Sequence, residues 1–296
     1  MKARILLVIL SLCANLALFA EPAHAWLQTE TCGSTQFPCG PGESPKGIFW
    51  PVSCVLVHLN EKGTASIPFE EIERVTRLSL ETWSKVDCSH LQLIYAGQTN
   101  EDRVGYNEQA IDNANVLIFR DHDWPHASGA LGLASVTFDR DTGEIVDTDI
   151  EFNTRDFVFT STTSMVLTRV DLQNTLTHEL GHLVGLDHPP EKEATMYATA
   201  PDGETKKRSL HADDIDGICT IYPLAEADAV PVCNRHRMGY FRRPSFSLTE
   251  SAPQEGCSLS AGLAARTPLL PLWLSLLLAP LMLIKRLRRA TPRAPS

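Results

Sequence analysis

Three histidines and a glutamate fall within eleven residues, in the stretch HELGHLVGLDH from His178 to His188. His178 and His182 are four positions apart, so on a helix they share one face, with Cβ atoms about 5–6 Å apart. Two imidazoles so placed can both reach one zinc ion at roughly 2.0–2.1 Å. Glu179 follows the first of them and points beside the metal rather than at it. Gly185 can take a positive φ and end the helix, which lets the chain turn back so that His188 supplies a third nitrogen from another direction. Three protein ligands leave a fourth position for water, the arrangement of a catalytic zinc rather than a structural one. Zinc brings the pKa of such a water down to roughly 7. Glu179 is then placed to accept its proton as general base and pass it to a leaving amine. A structural histidine pair with a solvated glutamate is the plainer alternative, but it gives Gly185 and His188 nothing to do.

The elements that must hold this stretch are legible upstream and downstream. Phe49 to Leu59 has the β-branched content of a strand. Pro68 opens a helix, and Phe69, Ile72, Val75, Leu78, Leu80 and Trp83 give it an apolar face. Leu91–Tyr95, Val116–Phe119, Leu131–Phe138 and Glu144–Asn153 read as four further strands, the last without clean alternation at Ile145, Asp147, Asp149 and Glu151. Asp171 caps the helix that carries the histidines, and a last helix runs from about Asp213 to Tyr222 before Pro223. The order β-α-β-β-β-β-α followed by a helix predicts an α+β (mixed α/β) fold. Residues 26–46 read as an irregular lead-in, 47–223 as the catalytic domain, and the Pro, Arg and Ser-rich residues 224–267 as a linker.

Both ends have a separate character. Lys2 and Arg4, the apolar run Ile5–Ala20 and the small-x-small site Ala23-His24-Ala25 read as a secretory signal over residues 1–25. Residues 268–289 combine the apolar run Leu269–Ile284 with Lys285, Arg286, Arg288 and Arg289, which reads as a membrane anchor or sorting segment. The net charge is −10, and with the basic ends set aside (+1 for residues 1–25, +5 for 285–296) residues 26–284 carry −16. So acidic a body argues against nucleic acid as a partner. Seven cysteines follow the signal (Cys32, Cys39, Cys54, Cys88, Cys219, Cys233, Cys257), and in an exported chain they read as disulfides. Neighbour pairing would give Cys32–Cys39, Cys54–Cys88 and Cys219–Cys233, one of fifteen connectivities for six cysteines, with Cys257 left over.

The spacing H-E-x-x-H-x-x-G-x-x-H, followed by Ala194-Thr195-Met196-Tyr197, resembles the zinc-binding consensus and Met-turn of the matrixin branch of the metzincins. Leu210 to Ile218 (LHADDIDGI) and Tyr222-Pro223 resemble that branch's last helix. The resemblance covers roughly Lys46 to Pro223 and is specific from Asp171 onward. It implies a zincin fold, a five-stranded twisted mixed sheet with three helices, and a catalytic zinc in a cleft beside the fourth strand. It also implies that Met196 lies beneath the zinc as an apolar floor and not as a ligand. Two departures stand out. No Pro-Arg-Cys-Gly-type latency segment precedes the domain, and Cys32 is better explained by a disulfide than as a gag on the zinc. Of the second, structural zinc of vertebrate matrixins only His122, Asp121, Asp123 and His126 have counterparts, the later positions being Ser135 or Val136 and Ile150, so the resemblance does not carry that site over. Asp139, Asp141 and Glu144, or Asp147 and Asp149, offer hard oxygens to calcium, although such charge runs are more often solvated. Gly256-Cys257-Ser258, the apolar run and the basic end resemble the C-terminal sorting signals of myxobacteria and their relatives.

The expectation is an exported bacterial zinc endopeptidase acting on extracellular proteins or peptides, tethered to a membrane through its C-terminus. Its zinc ligands would be His178, His182 and His188, its base Glu179. The competing class is a protease-like binding or adhesion module, which would have no need of Glu179.

Overall fold

Proline 51 decides where the first long strand begins. Lacking an N–H, it cannot extend a ladder, and the chain bends over residues 51–53 before that strand starts at Cys54 rather than at Phe49. Phe49 keeps only an isolated bridge to Glu144. The computed structural model describes residues 25–34, 38–109, 113–162, 168–224, 233, 248–250 and 258–259. Apart from Ala25, residues 1–25, read as a signal, lie outside them, as do residues 268–289, read as an anchor or sorting segment. Among the described residues no helix is long and apolar enough to cross a membrane.

The elements run β1 (Leu27–Gln28), β2 (Cys54–Asn60), α1 (Phe69–Ser84), β3 (Gln92–Thr99), β4 (Asn115–Phe119), β5 (Gly132–Asp139) and β6 (Ile145–Phe152). They continue as β7 (Phe159–Thr160), β8 (Val170–Asp171), α2 (Leu172–Leu183), β9 (Leu186–Asp187), β10 (Thr199–Ala200), α3 (Ala212–Ile221), β11 (Leu248–Glu250) and β12 (Ser258–Leu259). The expected mixed α/β architecture is what forms. Strands β3-β2-β4-β6-β5 make a five-stranded sheet in that order, the first four parallel and β5 antiparallel to β6. A sixth strand, β11, is added antiparallel on the outer edge of β5.

The broken alternation in β6 has a local cause. Thr137 pairs with Asp147 and Phe138 with Ile145, so Val146 is an extra residue in the ladder, a bulge. It shifts the phase, and Ile145, Ile150 and Phe152 all reach the core. On the opposite face Asp149 and Glu151 are buried with partners. Asp149 accepts from the amides of Gly105 and Val116, and Glu151 from Arg120 Nε, with His126 Nε2 at 2.8 Å from its other oxygen. Burial, which penalises the ionised form, pushes the Asp149 carboxyl up to about 7.

The core lies between the sheet and helices α1 and α2, and Trp83, Leu176, Leu180, Phe152 and Phe159 fill it. Trp83 Nε1 donates to the carbonyl of Thr177, which joins α1 to α2 at 2.9 Å. Among the described residues three disulfides form, Cys32–Cys39, Cys54–Cys233 and Cys88–Cys219. The first is the expected neighbour pair. The other two correct the expectation: the first residue of β2 is tied to Cys233, and the turn between α1 and β3 to α3, because cysteines distant in sequence meet in the fold. Cys233, β11 and β12 all fall in the stretch read as a linker.

Candidate metal centre

Helix α2 starts where Asp171 accepts the amide of Asn174, a side-chain cap that also takes an ion pair from Arg208. It ends at Leu183, and Gly185 follows with φ of +93°. Position 185 also lies against the main chain of Ile48, whose carbonyl oxygen would be 2.5 Å from any Cβ there. The carbonyls left unpaired at a helix C-terminus need outside donors. Here Trp50 Nε1 donates to Leu183 O at 2.7 Å and the Tyr222 hydroxyl to Val184 O at 2.9 Å. The turn at Gly185 is therefore clamped from two sides, and it brings His188 back over the helix.

The result is a convergence of three ring nitrogens. Nε2 of His188 lies 3.1 Å from Nε2 of His178 and 3.0 Å from Nε2 of His182. Nδ1 of His178 is 2.7 Å from the carbonyl of Thr195, and Nδ1 of His182 is 2.9 Å from that of Leu186. A carbonyl only accepts, so both Nδ1 atoms carry the hydrogen and both Nε2 atoms present lone pairs. Burial holds all three imidazoles below the usual histidine range, His188 down to about 2, which keeps them neutral. Lone pairs aimed at one another at 3 Å repel unless a cation sits among them. The donor set, tautomers and carbonyl backing are those of a zinc or similar transition-metal site. Among the described residues, no other group of three or more His, Cys, Asp or Glu side chains gathers its ligand atoms in this way.

Glu179, fully buried, lies against β5, and a Cβ at Gly132 would start 2.8 Å from its Oε1. Met196 is buried against α2 at Gly181. A Cβ at Gly181 would lie 2.0 Å from its sulfur. The turn carrying Met196 is held by Asp214, whose carboxylate accepts from the amides of Thr195 (2.7 Å), Met196 (3.0 Å) and His211 (2.8 Å). Sequence reasoning placed Asp214 on the last helix without this role. An acidic residue in a first turn, three after His211, was the available signal.

The other acidic and histidine candidates are used differently. Asp139 Oδ1 accepts from Asp141 and Thr142 amides within its own turn. Asp121 accepts from Thr64 Oγ1 and the Ala65 amide, and His126 is engaged with Glu151. Beyond Met196, a cavity of about 10 Å³ lies between Leu131, Asn174, Thr175 and Ala200, room for roughly one water.

The sequence profile of the matrixins matches residues 54–223. The chain belongs to the matrixin family. The matched span opens at β2 and closes after α3, so it contains the histidine trio, Glu179, Met196 and Asp214. Among curated relatives, metalloendoproteinase 1-MMP of Arabidopsis thaliana is 27% identical over 162 residues, covering 52% of this chain and 38% of that protein. Human neutrophil collagenase is 27% identical over 168 residues, covering 57% of this chain and 32% of the collagenase. Human matrilysin is 44% identical over 46 residues, 16% of this chain and 17% of matrilysin. In each case the match spans less than two fifths of the relative.

Proposed function

We propose that the chain is an exported zinc-dependent endopeptidase, with His178, His182 and His188 as metal ligands and Glu179 as general base. The observation that carries this reading is the convergence of three Nε2 atoms of neutral imidazoles, with the fully buried Glu179 next to the first of them on α2. A bound zinc ion supplies Lewis acidity toward a water and a scissile carbonyl. The residues do the rest. Thr195 O and Leu186 O fix the tautomers of His178 and His182, so no ligand has to shed a proton at neutral pH. Glu179, next along α2 from a ligand, takes the proton of the attacking water on a carboxylate oxygen and returns it to the leaving amine. Asp214 keeps the turn bearing Thr195 and Met196 in place beneath them.

An extended peptide is received by main-chain pairing on the outer edge of β5, whose Gly132 adjoins Glu179. Three disulfides support an extracellular working place. Export through residues 1–25 and tethering through residues 268–289 complete the proposal. Casein or a fluorogenic peptide is incubated with the purified chain, with and without chelator. Hydrolysis abolished by chelation and restored by zinc is the expected result. Mass spectrometry of the mature protein tests the ends, and a C-terminus intact to Ser296 rules out removal of the tail.

A further inference from the structure

The third histidine is held differently from the other two. Carbonyls stand behind Nδ1 of His178 and of His182, whereas among the described residues none accepts from Nδ1 of His188. The His188 amide donates to Oδ1 of its own neighbour Asp187 at 2.7 Å. Its ring can therefore be no better placed than the main chain that leads to it, the arc from Leu183 to Asp187. Four consecutive carbonyls of that arc each accept from a different donor. Trp50 Nε1 donates to Leu183 O at 2.7 Å and the Tyr222 hydroxyl to Val184 O at 2.9 Å. The Thr29 amide donates to Gly185 O and His182 Nδ1 to Leu186 O, both at 2.9 Å. The first three donors lie before β2, after α3 and after β1, so three distant parts of the chain meet on one turn. Two of them are coupled, because the Tyr222 hydroxyl also accepts the main-chain N–H of Trp50 at 3.1 Å. Both side chains are buried, so water is not at hand to replace their bonds. Burial also pushes the Tyr222 hydroxyl pKa up, which keeps its proton in place as a donor.

We propose that Tyr222 and Trp50 are positioning residues for His188, which fix the arc in the metal-free chain and so set how tightly the three nitrogens hold a metal. Without them the arc would be free to carry His188 away from the two helical nitrogens, and metal binding would have to draw it back. Groups standing behind metal ligands typically change affinity 10–100-fold when removed. The inference rests on reading the histidine trio as a metal centre for its effect on zinc, but the fixing of the arc does not.

Two readouts separate these. Tyr222→Phe keeps the ring and removes the hydroxyl, leaving Val184 O and the Trp50 N–H without it. It is compared with the unsubstituted chain and with Cys88→Ala/Cys219→Ala, which loosens α3 but keeps every donor to the arc. In the metal-free proteins, amide hydrogen exchange over residues 184–188 is expected to quicken about tenfold in Tyr222→Phe and not in the disulfide variant. Unchanged exchange overturns the fixing of the arc. The zinc Kd of Tyr222→Phe, measured by competition with a chelator, is expected to rise about tenfold. Its visible spectrum at saturating cobalt is expected to shift, while the disulfide variant keeps both. A Tyr222→Phe protein with a lowered melting temperature but unchanged zinc Kd and cobalt spectrum has lost only structural support, and that overturns the positioning role. Should Tyr222→Phe not fold, Trp50→Phe, which removes the donor to Leu183 O, is put through the same measurements with the same expectations. If the unsubstituted chain takes up neither zinc nor cobalt while exchange still quickens, the metal-centre reading fails and the fixing of the arc stands.

Discussion

Gly181 faces the sulfur of Met196 so closely that a methyl group at position 181 would lie 2.0 Å from it. The third residue after His178 is therefore glycine because the Met-turn is pressed against the metal-binding helix at that point. Overpacking of this kind typically costs about 1–3 kcal/mol. Gly181→Ala is expected to lower the melting temperature and weaken zinc binding, since the displaced turn carries the Thr195 carbonyl that orients His178. Met196→Ala on top of Gly181→Ala is expected to recover part of the loss. Differential scanning calorimetry with and without zinc checks both.

Gly185 carries two independent constraints, a φ of +93° and the Ile48 carbonyl 2.5 Å from where a Cβ would be. The obstacle is main chain, which cannot rotate away. Backbone strain alone is of order 1–3 kcal/mol, so Gly185→Ala is expected to destabilise by at least that and to move His188 off the other two nitrogens. Gly129→Ala, where nothing lies within 4 Å, serves as the neutral control in chemical denaturation.

Burial keeps the three ligand histidines neutral in the fold, while in the unfolded chain each takes up a proton near 6.5. Below that value the unfolded state binds more protons than the native one, so stability falls as pH falls. The chelated protein is expected to lose melting temperature progressively from pH 7 down to pH 5. Asp149 works in the opposite sense. With its carboxyl up at about 7 against 3.8 unfolded, it makes stability fall as pH rises from about 4 to 7. Asp149→Asn is therefore expected to steepen the loss on acidification by removing the opposing contribution.

The disulfide Cys88–Cys219 joins the turn between α1 and β3 to α3 across 131 residues. Its removal in Cys88→Ala/Cys219→Ala is expected to cost about 2–5 kcal/mol, read as a shifted denaturation midpoint. Zinc-dependent cleavage is expected to survive below that midpoint, because Asp214 and not the disulfide holds the turn that carries Met196.

The histidine stretch was legible because its chemistry is local: the i, i+4 pair, the glycine turn and the third ligand all lie within eleven residues. The helices and the five central strands were legible for a similar reason, periodicity and caps acting over short spans. What the sequence hid is held by contacts between distant residues. Val146 looks like any other apolar strand residue until its ladder partner shows it to be a bulge. Asp214 looks like a first-turn acid until the Met-turn amides come to rest on it. The pairings Cys54–Cys233 and Cys88–Cys219 follow from which elements end side by side, information absent from cysteine spacing. Strands β11 and β12 are three and two residues long, too short for any period to show.

The central claim is that Glu179 is the proton-transferring base beside a metal held by His178, His182 and His188. Glu179→Gln keeps the size of the side chain and leaves the ligands alone. Zinc content and peptide hydrolysis are measured on the same preparation. The account predicts about one zinc per chain, as in the unsubstituted protein, with kcat/KM lower by roughly 10²–10⁴. A zinc-loaded Glu179→Gln protein that hydrolyses peptides at the unsubstituted rate would contradict it.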